Sequence, residues 1–461
     1  MKKLFGTDGM RGEAGQFPLD GETVRTVGSS LARHLAERSP TPGQAPRIVT
    51  GRDTRESGSW IEQAFTEGAR SSGAECQSAG IITTPGVAFL TRTLPADAGV
   101  VVSASHNPYH DNGIKIFSPS GRKLDDATER LIEADIMAAK RGGDAATTQQ
   151  SPCAFEEGVA EESAALQERY LDYLAQEVGG GLSLEGLTLV VDCANGAAYR
   201  SAPALFARLG ARTISINCAP DGHNINEDCG SLHIDGLRRA VLEQGAGMGV
   251  AFDGDADRAL FVDAQGEFVD GDATLWIMAQ YLASREELKD GLVVATVMSN
   301  IGLEIALRSR GWTLRRTDVG DKYVLEELLR TEASVGGEQS GHIIFPRLSL
   351  AGDGQVTALA LLRAMHDAGL RLDELARGFT RYPQVLVNVR VREKLPFDEV
   401  ADVARAAEET RAQLGDRGRL LLRYSGTEPL ARVMIEGEQQ DVIEQQAEAL
   451  ASVIQQSLGA A

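Results

Sequence analysis

No two of the five cysteines, Cys76, Cys153, Cys193, Cys218 and Cys229, stand in C-x-x-C spacing. That argues against a disulfide framework and against a thiolate zinc site, and it fits a reducing compartment. No apolar run approaches the ~20 residues that span a bilayer. The chain reaches Asp8 before any apolar stretch begins, so no signal peptide is expected and the reading is a cytoplasmic protein. Positive charge is also in short supply: 46 Lys and Arg stand against 66 Asp and Glu, a net charge of −20. Such a surface repels nucleic acid and anionic membrane. It would repel a phosphorylated metabolite too, so any phosphate site has to be a local basic pocket. His34, His110, His223, His233 and His366 lack zinc-type spacing and read as structural or surface residues. The Walker A pattern is missing, and so is the G-x-S-x-G elbow of acyl-transferring hydrolases.

What is present is a chain of 461 residues, 43% hydrophobic and 24% charged, enough for about three domains with two or four allowed. Val24, Val27, Leu31 and Leu35 make one helical stripe. Short apolar runs at 47–50, 99–102, 188–191, 248–252 and 292–297 read as buried strands of α/β units. Three times such a strand gives way to a polar loop, at Ser103–Pro108, Asp253–Arg258 and Gly336–His342. Ligand sites in α/β sheets lie beyond the carboxyl ends of strands, so three similar layers are expected to feed one cleft. Residues 140–162 read as a linker or surface excursion. After Val385 the pattern changes to alternating strands and two helices, a small α+β unit.

Five segments carry chemistry. Asp253-Gly254-Asp255-Ala256-Asp257-Arg258 places carboxylates at every second residue. In extended backbone these share one face and could converge on a cation. Three hard oxygens with open positions suit Mg²⁺ bound together with a phosphate. The competing reading is a Ca²⁺ loop or a solvated acidic turn, but an EF-hand ends in Glu, and here Arg258 and Ala259 follow. Ser105, in Ser103-Ala104-Ser105-His106-Asn107-Pro108, reads as a phosphoryl-carrying serine or as a turn serine, with Lys115 nearby. Arg423-Tyr424-Ser425-Gly426-Thr427-Glu428-Pro429, with Arg432 beyond, offers guanidinium forks, hydroxyls and an approachable backbone to a phosphate. A plain hairpin turn is the alternative. Gly336-Gly337-Glu338-Gln339-Ser340-Gly341-His342 sets a carboxylate two residues from a hydroxyl, which suits vicinal sugar hydroxyls or an amino group, or is a glycine-rich turn. Phe5-Gly6-Thr7-Asp8-Gly9-Met10-Arg11-Gly12 is either a glycine turn or the presentation of Arg11 to a phosphoserine.

Together these five segments resemble the α-D-phosphohexomutase superfamily, in that superfamily's order along the whole chain. Gly-Thr-Asp-Gly and Gly-Glu-Gln-Ser-Gly-His are most similar to its members that act on amino-sugar phosphates. The resemblance implies an α/β fold: three related α/β domains with mixed sheets plus a smaller α+β C-terminal domain, around a central cleft. Expected boundaries are 1–158 with the serine loop, 159–260 with the metal loop, 261–378 with the sugar loop and 379–461 with the phosphate loop.

It also implies roles. Ser105 would carry the phosphoryl group. Asp253, Asp255 and Asp257, with the phosphoserine oxygen, would hold Mg²⁺. Glu338 and Ser340 would grip the sugar, and Arg423, Ser425, Gly426, Thr427 and Arg432 the non-reacting phosphate. Arg11, His106, Lys115, Arg258 and His342 would stabilise charge and move protons, with no single general base assigned. The implied cofactors are Mg²⁺, a hexose 1,6-bisphosphate intermediate and phosphorylation of Ser105. The implied partner is a small sugar phosphate, with no nucleic acid and no membrane, and a homodimer is allowed. Ala256 departs from the glycine common at its position, Tyr424 from Lys or Pro, and Leu350-Ala351 from a frequent Thr or Ser. Three rivals remain: a mutase for glucose or mannose phosphates, a phosphatase in which water takes the phosphoryl group, and a silent sugar-phosphate binder. The last is disfavoured because nucleophile, carboxylates and phosphate loop occur together.

Overall fold

Strands in this chain are short and mostly buried on both faces, so helices must cover them, and four open sheets result. The computed structural model describes residues 3–6, 8–39, 41, 43–142, 157–425 and 428–460. The chain divides into two units, residues 1–297 with 315–377, and residues 298–314 with 378–461.

In the first unit, β1 (Phe5–Gly6), β2 (Gly9–Glu13), β3 (Arg47–Arg52), β4 (Glu75–Ile81), β5 (Ala98–Val102) and β6 (Asp111–Phe117) form one mixed sheet. Their order is β1-β2-β6-β5-β3-β4, with β3 parallel to β4 and β5, and β6 antiparallel to β5 and β2. The helix Gly21–Arg38 begins where the Asp20 side chain accepts from the Thr23 N–H. It buries Val24, Val27 and Leu31 in a core shared with Phe65, Val100 and Ile116. Truncating a side chain such as Phe65 there would cost about 3–5 kcal/mol.

A second sheet, β7 (Thr188–Asp192), β8 (Arg212–Ile216), β9 (Met248–Phe252), β10 (Ala259–Asp263) and β11 (Phe268–Val269), is ordered β11-β10-β9-β7-β8. A third, β12 (Leu292–Thr296), β13 (Thr313–Thr317), β14 (Gly336–Gly337) and β15 (Ile343–Ile344), is ordered β13-β12-β14-β15. Every apolar run read as a strand is one. Residues 157–162, read as linker, are instead the start of the helix Glu157–Asp172, whose Leu166, Tyr170 and Leu171 are buried further on. Apolar spacing in its later turns fixes the helix, and the polar first turns merely follow it. The rest of that stretch, 143–156, lies outside the described residues. No helix among the described residues is long and apolar enough to cross a membrane.

The second unit holds an antiparallel sheet, β16 (Gln384–Arg390), β17 (Arg419–Tyr424) and β18 (Leu430–Glu436), with β18 in the centre. Alternating Val387, Val389 and Val391 on one side and Leu450 and Ile454 of the helix Gln440–Leu458 on the other make its core. Residues 298–314, with the helix Ile301–Ser309, belong to this unit. Glu436 is buried and accepts from Ile301 N–H at 3.2 Å and from Arg419 Nε at 2.8 Å.

Candidate active site

Loops at the carboxyl ends of β3, β5 and β9 meet in the first unit. The turn after β5 places Ser105 in the left-handed region, at φ 53°, with only 1% of its surface exposed. Its Oγ donates to Asp253 Oδ2 at 2.6 Å, and His106 Nδ1 lies 3.2 Å from the same oxygen. Asp253, Asp255 and Asp257 are all buried, and one oxygen from each lies within 4.8 Å of the others. Sequence reasoning reached this convergence through extended backbone, and there the structure differs. The segment is a tight turn, closed by Ala256 N–H donating to Asp253 O at 3.0 Å, with Ala256 left-handed at φ 55°. The turn, not strand alternation, gathers the carboxylates.

Charge is dense here. Burial, then the charges of Asp257 and Asp255, push the Asp253 carboxyl well above its usual range. Burial acts the same way on Asp257, but Lys115 and His342 outweigh it and hold that carboxyl down. Lys115 Nζ is 2.9 Å from Asp255, 3.4 Å from Asp257 and 3.1 Å from Asp8. Arg258 Nε lies 3.8 Å from Asp257. Burial opposes charge on His342, yet Asp257 at 3.4 Å pushes its pKa up to about 9. Burial, then Arg258 and Arg11, push His106 down to about 4. Asp255 Oδ1 is buried with no hydrogen-bond partner. A buried, unsatisfied anionic oxygen is costly, and a divalent cation among hard oxygens is what relieves it, so the three aspartates fit Mg²⁺.

Gly254 is fixed by this crowding. A Cβ on it would meet Ser105 O at 2.6 Å and Asn226 Nδ2 at 2.9 Å. Gly254→Ala is therefore expected to push the serine turn away from the carboxylates. Turnover should fall about 10²-fold, as misplacement by ~1 Å does. A variant with normal kcat would show that the two turns need not touch.

Beside these groups opens a cavity of 490 Å³ whose lining includes Asp8, Lys115, Lys123, Asp257, Asp321 and His342. Asp8, Lys123 and Asp321 escaped sequence reasoning. Lys123 Nζ lies 2.6 Å from Asp8 and 2.7 Å from Asp321, a bridge across 198 residues of sequence that no local pattern announces. Thr84, which donates to Asp255 Oδ2 at 2.6 Å, and Arg55 were missed for the same reason. Arg11 pairs with Asp8.

Gly336–His342 is a hairpin between β14 and β15, closed by Glu338 N–H donating to His342 O at 2.9 Å. Glu338 Oε2 accepts from Ser340 Oγ at 3.2 Å, and Oε1 accepts from Gly320 N–H at 3.2 Å. Glu338 lies close enough to help hold charge on His342 and Arg258.

In the second unit, Arg423 and Arg432 stand directly opposite on β17 and β18. Facing like charges destabilise a sheet unless an anion joins them. Ser425 follows, its Oγ accepting from Glu428 N–H at 3.3 Å and its carbonyl accepting from Lys394 Nζ at 2.5 Å. Gly426 and Thr427 lie outside the described residues.

Comparison with known proteins agrees along the whole length. Models described as phosphoglucomutase/phosphomannomutase alpha/beta/alpha domains I, II and III match residues 2–142, 168–266 and 270–382, and the C-terminal domain of that family matches 386–453. The phosphoglucosamine mutase of Solibacter usitatus is 48% identical over 461 residues, covering 99% of each chain. That of Mycobacterium tuberculosis is 46% identical over 454 residues, covering 98% of this chain and 99% of its own. Among solved structures, a phosphoglucomutase/phosphomannomutase family protein from Burkholderia thailandensis superposes with a TM-score of 0.77 at 22% identity, covering 99% of this chain and 98% of its own. N-acetylphosphoglucosamine mutase of Aspergillus fumigatus, in complex with GlcNAc-6P and magnesium, gives 0.63 at 19%, covering 98% and 96%. The chain belongs to the phosphoglucomutase/phosphomannomutase family, the α-D-phosphohexomutase superfamily, and within it to the phosphoglucosamine mutases.

Proposed function

We propose that this chain interconverts glucosamine 6-phosphate and glucosamine 1-phosphate through phosphoserine 105 and a glucosamine 1,6-bisphosphate intermediate. The observation that carries the reading is Ser105 Oγ at 2.6 Å from Asp253, one of three buried carboxylates gathered in one turn. Phosphoserine 105 gives its phosphoryl group to the free sugar hydroxyl. The bisphosphate turns round, and its other phosphate returns to Ser105. Asp253, Asp255 and Asp257 would hold Mg²⁺, which supplies neutralisation of charge on the transferring group. Lys115, Arg258 and Arg11 add fixed positive charge on the same side. His106, 3.2 Å from Ser105 Oγ, and His342 and Lys115, both beside Asp257, are the groups that would hold or move the hydroxyl proton. Glu338 and Ser340 read the sugar. Arg423, Ser425, Gly426, Thr427 and Arg432 hold the phosphate that is not reacting. The product is what UDP-N-acetylglucosamine and cell-wall synthesis draw on, and the enzyme acts in the cytoplasm.

The test compares kcat/KM for glucosamine 1-phosphate, glucose 1-phosphate and mannose 1-phosphate, with Mg²⁺ and the matching bisphosphate. We expect the amino sugar to lead by at least ~10²-fold, the discrimination available to a site whose polar groups would otherwise stay unpaired. Glu338→Ala should erase most of that lead. Preference for glucose or mannose would move the chain to a sister activity with the same chemistry. Net release of inorganic phosphate would make it a phosphatase.

A further inference from the structure

All five N–H groups of one guanidinium are used: four on the turn that carries Ser105 and the fifth on Asp53, which supports that turn. Arg55 Nε donates to Asp53 Oδ2 at 2.9 Å. Nη1 donates to the carbonyls of Pro108 and, at 2.9 Å, Asp111. Nη2 donates to Ser105 O at 2.9 Å and Asn107 O at 2.8 Å. Arginine carries five such donors and no more. The Arg55 and Asp53 side chains have no exposed surface. Asp53 also accepts from Ser103 Oγ at 2.6 Å, and that oxygen in turn accepts the Ser105 N–H at 3.0 Å. From the second sheet's side, Asn226 Nδ2 donates to the same two carbonyls, Ser105 O at 2.9 Å and Asn107 O at 3.2 Å.

This assembly has a specific task. A left-handed serine costs on the order of 1 kcal/mol or more relative to ordinary backbone, and such strain persists only where its surroundings over-determine it. The carbonyl of Ser105 is held by two donors and its N–H by one acceptor, so the peptide planes on both sides of the residue are fixed. Releasing them would let φ relax and swing Oγ away from Asp253. Lysine has three donors on a flexible stem and cannot reproduce a planar fork with five partners.

We infer that Arg55, with Asn226 as its counterpart, is a positioning residue for phosphoryl transfer: it locks the Ser105–Asp111 turn so that Ser105 Oγ faces the three carboxylates. The inference rests on Ser105 being the phosphoryl carrier. Neither Arg55 nor Asn226 lines the 490 Å³ cavity, so the effect belongs in the rate of transfer and not in substrate binding.

The experiment uses the full chain as Arg55→Lys and as Asn226→Gly, the latter keeping the left-handed backbone at φ 60° while removing both donations. Each variant is charged with glucose 1,6-bisphosphate, its phosphorylated fraction is read by intact mass, and kcat and KM are measured at saturating Mg²⁺. For Arg55→Lys, kcat per phosphorylated chain should fall ~100-fold, and for Asn226→Gly ~10-fold, with KM within about threefold of wild type in both. Rates within about twofold of wild type in both variants, or a loss carried wholly by KM, would overturn the inference. If Arg55→Lys does not fold, Asn226→Gly decides alone. Ser105→Ala is run beside them. Turnover in that variant sinks the phosphoserine reading itself, whereas an inactive Ser105→Ala beside unimpaired Arg55→Lys and Asn226→Gly sinks only the positioning role.

Discussion

Ser105→Ala should lose turnover by ~10⁵-fold or more, the scale seen when a covalent nucleophile is removed, while retaining affinity for glucosamine 6-phosphate. The expectation follows from what surrounds the residue. The nearby hydroxyl of Ser103 is already donating to Asp53 and accepting from the Ser105 N–H, so it cannot stand in. Thr84 donates to Asp255 and its backbone N–H to Asp255 O, which ties it to the metal loop. Removing one oxygen from a buried turn leaves the Arg55 and Asn226 side chains donating to its backbone carbonyls, so the fold should survive. Calorimetric binding of the substrate to the variant, with turnover measured on the same sample, separates chemistry from binding. Retained turnover would mean that another group carries the phosphoryl, or that none does.

Removal of divalent metal should be nearly as damaging, with turnover falling by ~10³-fold or more on exhaustive chelation and returning with Mg²⁺. Three aspartates are buried in one turn, and burial together with its two neighbours drives the Asp253 carboxyl toward its protonated form. Lys115 and Arg258 offset part of that repulsion but leave Asp255 Oδ1 without a partner. A cation that binds only the folded chain also stabilises it, by about 2.7 kcal/mol at one hundred times its dissociation constant. Thermal unfolding with Mg²⁺ and with chelator should therefore differ, and Asp255→Asn should shrink the difference. If neither rate nor melting temperature responds to the metal, the three aspartates are a structural ion cluster with Lys115 and Arg258, and the proposed chemistry fails.

Much of this was open to reading because chemistry-bearing residues sit in short runs behind apolar strands. Val100–Val102 before Ser105 and Val250–Phe252 before Asp253 announce both strand and loop within ten residues. Arg423 and Arg432 were legible as a cationic pair, and the register of β17 against β18 sets them face to face. What stayed hidden depends on distant pairing. Arg55 is 50 residues from Ser105, Asn226 is 121 residues away, and Lys123 is 198 residues from Asp321. Each looks like an ordinary polar surface residue until the sheets assemble. The conformation of the metal turn was hidden for another reason. Alternating carboxylates suit both extended chain and a left-handed turn, and only the closing bond from Ala256 to Asp253 decides between them.

Residues 298–314 bear on how the protein can be taken apart. They leave the first unit, lend the helix Ile301–Ser309 to the second, and return before the chain crosses again after Arg377. The second unit is thus made from two separate stretches of gene. A fragment started at residue 379 would lack Asn300 and Ile301, leaving the buried Glu436 carboxylate without two of its donors. A single proteolytic nick near residue 378 would not free the whole unit either: it severs 379–461 from the chain, while residues 298–314 stay joined to the first unit at both ends. Deletion, grafting or exchange of this module between relatives therefore has to carry both stretches together.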